Sequence, residues 1–182
     1  MAITLDDIFA KAGSAGGRAT TAIVEVKDLM EEWLPQVLAR VNSECNISIP
    51  IPKGYYIAGT KITTEWPNVI VGFSVQSSPM AGLGRVDQDH VSLAVYMAYH
   101  RIESEQQVLS CLDACFWMRN IIMSFRGTHL NAAGLPCWKG LITGGIQQSP
   151  QRFPNFEGLA YQFQAWQPGD KMDGRSYWSL DP

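Results

Sequence analysis

The chain has 182 residues, 46% of them hydrophobic, which suits one domain with a sizeable core and leaves too little for two full domains. Its 14 Lys and Arg against 17 Asp and Glu give a formal charge of -3, so no broad basic surface is expected to grip nucleic acid by its phosphates, and tight DNA binding is disfavoured as the main role. No apolar run approaches the roughly 20 residues that span a bilayer, and Met1 to Asp7 lacks the basic-then-apolar profile of a secretory signal, so the chain is expected to be made in a cytoplasm and to stay off membranes.

In chain order, Thr4-Leu5-Asp6-Asp7 reads as an N-cap with acids in the first turn, and Leu5, Ile8 and Phe9 give a short helix one apolar face before Gly13 stops it. Gly13-Ser14-Ala15-Gly16-Gly17 is flexible by composition, so residues 1–20 form an arm able to dock on a neighbour or on its own core. A frayed terminus has the same composition. Between Thr21 and Glu44, Leu29, Trp33, Val37 and Val41 recur every fourth residue and predict a second helix, with Asp28 available as a cap. Pro35 fits such a helix only in its first turn or at a kink, and Ala22 to Val26 is also readable as a strand. Pro50, Pro52 and Lys53-Gly54 mark an exposed turn, followed by an extended loop to Pro67.

Two strands come next. Val69, Val71, Phe73 and Val75 alternate with smaller or polar residues, and so do Val91, Leu93, Val95, Met97 and Tyr99, the period of a strand with one buried face. The Ser77 to Gly84 loop between them makes the two strands natural antiparallel neighbours. Ser104 with Gln107 forms a capping box, Glu105 suits the positive end of a helix dipole, and Val108, Leu112, Cys115 and Ile122, flanked by Leu109, Phe116 and Met118, carry a long helix to a C-cap at Gly127. Beyond it, Trp138 to Gly144 and Gly158 to Trp166 read as two more strands joined by a long hairpin loop over Gln147 to Phe156. Residues 167–182 have no period but hold Tyr177 and Trp178, aromatics that gain most when one face is buried.

The expected fold class is therefore α+β: a two-layer sandwich of a mostly antiparallel four-stranded sheet with the long helix and one or two N-terminal helices on one face. Residues 1–20 and 167–182 are arms, and 21–166 are a single domain.

Chemistry is sparse. Asp87, Asp89 and His90 precede the second alternating run and His100 ends it, so a divalent cation held for nuclease-like hydrolysis is the first enzymatic idea. A solvated turn is the favoured reading, because no second carboxylate cluster accompanies them and His90 would face away from both acids on a strand. His129 looks like a surface residue in a Gly- and Asn-containing loop. Cys45, Cys111, Cys115 and Cys137 contain no C-x-x-C pair and read as buried free thiols. Asn46-Ile47-Ser48 matches a glycosylation sequon and is read as chance, since no secretory route is expected. No G-x-S-x-G elbow, P-loop or dinucleotide fingerprint occurs. The chain is therefore read as no enzyme, with no catalytic residue, metal or cofactor expected, and its six Trp and seven Met as suited to an interaction protein.

The order of elements, with Asp89-His90-x-x-Leu93-x-Val95-x-Met97 on a central strand, the long helix from Glu103 to Phe125 and a final pair of strands, resembles the tail terminator, or tail-completion, proteins of tailed bacteriophages and their neck relatives. The likeness covers Val24 to Trp166 and is one of architecture, with no sharp motif. It implies a structural virion protein of the tail or neck, most simply a terminator that forms a homo-oligomeric, hexameric ring capping the tail tube and joining it to the head. Its partners would be itself, the tail tube protein and the connector proteins, with DNA passing through unbound. On that reading Leu5, Phe9, Trp66, Met80, Arg85, Arg152, Phe153, Tyr177 and Trp178 are expected at subunit or partner contacts, and Asp87 and Asp89 facing the channel. A neck stopper, a portal adaptor, a non-viral cytoplasmic adaptor and a metal-dependent enzyme using Asp87, Asp89 and His90 are the alternatives.

Overall fold

Large apolar side chains alternate with small ones along 91–99, and in the computed structural model, which describes residues 19–60, 65–79, 87–146, 151–152 and 155–166, that run lies at the centre of the molecule. Val91, Leu93, Val95, Met97 and Tyr99 are all buried on one face of strand β3 (Asp87–Tyr99). Strand β2 (Asn68–Pro79) pairs antiparallel with it on one side, Val71 opposite Val95. On the other side lies β8 (Glu157–Trp166), also antiparallel, with Tyr161 opposite Val95. Val69, Val71, Leu159, Tyr161 and Phe163 share the buried face of β3, so one apolar surface runs across three strands.

Two helices cover that surface. Helix α1 (Ala19–Cys45) buries Ala22, Val26, Leu29, Met30, Leu34, Leu38 and Val41 at three- and four-residue spacings. Trp33 is 40% exposed, so the buried stripe is rotated from the one expected through Trp33 and Val37. Asp28 is no cap but a mid-helix residue paired with Lys27 at 2.8 Å. The helix contains Pro35 and includes Ala22 to Val26, which settles the strand alternative. Asn46 ends it at φ 51°, and Asn42 then holds the departing chain by bonding both the N–H and the C=O of Ile49 at 2.8 Å.

Helix α2 (Glu105–Ser124) starts as expected: the Ser104 side chain accepts from the Gln107 N–H, and Gln107 Oε1 accepts from the Glu103 N–H. It ends at Phe125 instead of Gly127. Its buried residues are Ser110, Cys111, Ala114, Cys115, Met118, Ile121 and Ile122, leaving Leu109, Leu112 and Phe116 outside. Apolar residues surround this helix, so their spacing alone does not pick a face. The small side chains of Ser110, Cys111, Ala114 and Cys115 do, since they allow the closest approach to the sheet.

Among the described residues the main sheet has six strands, which corrects the expected four, and all but one of its pairings are antiparallel. Strand β1 (Gly54–Ile57) runs parallel to β2 at the edge, within the stretch expected as loop. All four of its residues are half-buried, so it carries no alternation to read. The order is β1-β2-β3-β8-β6, with β7 (Gln151–Arg152) also pairing with β8 inside the expected hairpin loop. The run expected as one strand from Trp138 divides into β5 (Pro136–Trp138) and β6 (Gly140–Ile146), and β5 pairs with β4 (His129–Leu130) in a separate hairpin. The expected helix at Leu5 to Phe9 lies outside the described residues.

Candidate functional site

Of the nine residues expected at contacts, Trp66 and Arg152 are among the described residues. Leu5, Phe9, Met80, Arg85, Phe153, Tyr177 and Trp178 lie outside the described residues. Trp66 is half-buried and meets the His100 ring edge-on at 6.0 Å. Arg152 belongs to β7, opposite Glu157. Asp87, Asp89 and His90 do not form a turn before the strand but are paired residues of β3, opposite Pro79, Ser77 and Gln76.

Two uncovered surfaces stand out instead, on opposite sides of the fold. On the helical side, Leu109, Leu112 and Phe116 are 53%, 40% and 47% exposed and line one stripe of α2, turned away from the sheet. On the helix-free side of the sheet is an open trough of about 900 Å³. Gly72, Ser92, Ala94, Gln162 and Gln164 line it, as does the edge-on pair of Tyr96 and Phe156, 5.9 Å apart. Ile142 stands at its rim, 45% exposed. Among the described residues its lining holds no acid, base or histidine, and small, amide and aromatic side chains make a surface suited to flat contact.

A third feature is small and chemically richer. Asn131 Oδ1 accepts from the Ala133 and Leu135 N–H groups, and Gly134 takes φ 74°, which turns the chain between β4 and β5. The turn brings His129 opposite Trp138 and beside Cys137. The His129 ring stacks on Trp138 at 4.7 Å and meets Phe125 edge-on at 5.0 Å, while Trp138 Nε1 donates to the Phe125 carbonyl at 2.8 Å. So held, His129 Nε2 lies 2.8 Å from Glu25 Oε1 on α1. One donor atom each from Glu25, His129 and Cys137 lies within 4.8 Å of the other two. His129 is thus no surface residue, its side chain being 16% exposed.

This trio is no cysteine nucleophile. Burial, with the negative charge of Glu25 nearby, pushes the Cys137 thiol up to about 11, and its side chain is wholly buried. A nucleophile needs the opposite shift and access. Cys111 and Cys115 are pushed up to about 12 by burial in the core, with Cys111 Sγ donating to the Met97 carbonyl. Among the described residues no helix is long and apolar enough to cross a membrane.

Sequence reasoning passed over Glu25 and His129 because 104 residues separate them. The one available signal was the Asn131 to Gly134 turn, which predicts that positions 129 and 137 come close. Compared with known proteins, the chain matches no family model and no curated protein.

Proposed function

We propose that this chain is a structural protein of a tailed-phage neck, of the tail terminator kind, working as a head-to-tail ring that caps the tail tube and joins it to the head. What supports the reading is one observation: two dissimilar exposed surfaces, the Leu109–Leu112–Phe116 stripe and the sheet trough, whose described lining carries no charge, lie on opposite sides of one helix-on-sheet body. A ring of identical subunits needs two different complementary patches on each copy. Stripe against trough supplies apolar side chains on one partner and small and amide residues on the other, and a six-fold rotation closes the series. With a net charge of -3 the ring has no reason to hold passing DNA.

The test is a tube assay. Purified protein added to growing tail tubes should form a ring at one end and stop elongation. Tubes that grow on unchanged, together with divalent-cation-dependent cleavage of DNA, would favour the enzyme built on Asp87, Asp89 and His90.

A further inference from the structure

We infer that Glu25, His129 and Cys137 form a binding site for a single divalent cation of the zinc type, which ties the β4–β5 hairpin to helix α1. The donor set is one carboxylate oxygen, one imidazole nitrogen and one sulfur, the mixture a borderline-soft cation prefers over magnesium or calcium. Spacing fits after a small adjustment. Donors placed about 2.0–2.3 Å from a tetrahedral ion stand about 3.3–3.6 Å apart. Here the Glu25 and His129 atoms are 2.8 Å apart and the whole set lies within 4.8 Å, so the tips close around an ion by moving several tenths of an ångström to about one ångström. The least movable donor is also the best supported. Stacking on Trp138 and the edge contact with Phe125 fix the imidazole plane, leaving the glutamate and cysteine side chains to adjust.

Access and a fourth position come from a second observation. Glu25 borders an open pocket of about 420 Å³ between the start of α1 and the hairpin, also lined by Thr20, Asp28, Asn131 and Leu135. Of the three donors only Glu25 lines that pocket, so an ion, and a water as fourth ligand, would enter past the Glu25 carboxylate, while the Cys137 side stays closed to solvent. The site does not depend on ring formation, because all three donors belong to one chain.

The experiment is a titration of the full-length, metal-stripped protein with Co²⁺ and with Zn²⁺. The expected result is one saturable site per chain. Cobalt should give a sulfur-to-metal charge-transfer band, present in Cys45→Ser and Cys111→Ser and lost in Cys137→Ser. Glu25→Gln, which keeps the side-chain shape, should weaken cobalt binding more than about tenfold, the least that even a supporting residue contributes. Its circular dichroism should match that of the unsubstituted protein. Zinc should raise the melting temperature of the unsubstituted protein and leave that of Glu25→Gln nearly unmoved. A charge-transfer band that persists in Cys137→Ser, no saturable binding, or unchanged cobalt affinity in Glu25→Gln would each overturn the site.

Discussion

Glu25 and His129 meet at 2.8 Å across 104 residues of chain, with their side chains 13% and 16% exposed. Lys27 and Glu31 on the same helix also meet at 2.8 Å, but one turn apart and with the Glu31 side chain 58% exposed. Burial makes these contacts unequal. Glu25→Ala strands a shielded imidazole and is expected to cost about 1–3 kcal/mol. Glu31→Ala should cost about 0.5 kcal/mol or less. Urea denaturation of the two variants in metal-free buffer checks the contrast.

The cysteines should separate by reactivity. Cys45 is exposed, whereas Cys111, Cys115 and Cys137 are buried, so a thiol reagent should modify one site in the native protein and four after unfolding. The same burial sets a pH dependence. In the unfolded chain a thiol ionises at about 8.5, whereas the folded state holds the Cys111 and Cys115 protons up to about 12. Between those values the native state binds more protons, so stability is full below about pH 8 and falls as pH rises above it. Denaturation midpoints at pH 7.5, 9 and 10 should decline in that order.

Gly158 holds two strands at close quarters. A Cβ there would run into the backbone carbonyl of Met97, which cannot swing aside as a side chain would. Gly158→Ala is expected to cost about 1–3 kcal/mol. Gly127→Ala, with nothing within 4 Å of its added carbon, should stay within about 0.5 kcal/mol of the unsubstituted protein. Thermal denaturation of both variants gives the comparison.

Alternation and capping made much of the fold legible. The period-two runs at 69–75, 91–99 and 158–166 all became strands of one sheet, and the Ser104–Gln107 box marks the start of α2. Faces and edges were harder to read. Which side of α2 turned inward was decided by small residues such as Ser110 and Ala114, whose value lies in what they let approach. Strand β1 had no alternation because it lies half-covered at an edge. The Glu25–His129–Cys137 cluster was invisible for another reason, since no periodicity links a helix flank to a hairpin a hundred residues on. The two exposed surfaces are only partly legible: Leu109, Leu112 and Phe116 share the helical spacing of the buried residues, while the trough comes from the small and amide residues that alternation leaves on the far face.

The two proposed ring surfaces are separable by substitution. Leu109→Asp with Phe116→Asp alters the stripe, and Ile142→Asp alters the trough rim, each at exposed positions where stability should change by about 0.5 kcal/mol or less per site. Either variant alone should fail to form rings. Mixed, they retain one intact stripe and one intact trough between them and should stop at dimers, as a head-to-tail contact requires. Size-exclusion chromatography of the single variants and the mixture reads the outcome.

The most direct test of the central claim is the mass of the unsubstituted protein in solution, by light scattering over a range of concentrations, alone and beside tail tubes. A ring of about six subunits is predicted, either free or formed when the tubes are present. A monomer or dimer at every concentration, unchanged by tail tubes, would contradict it.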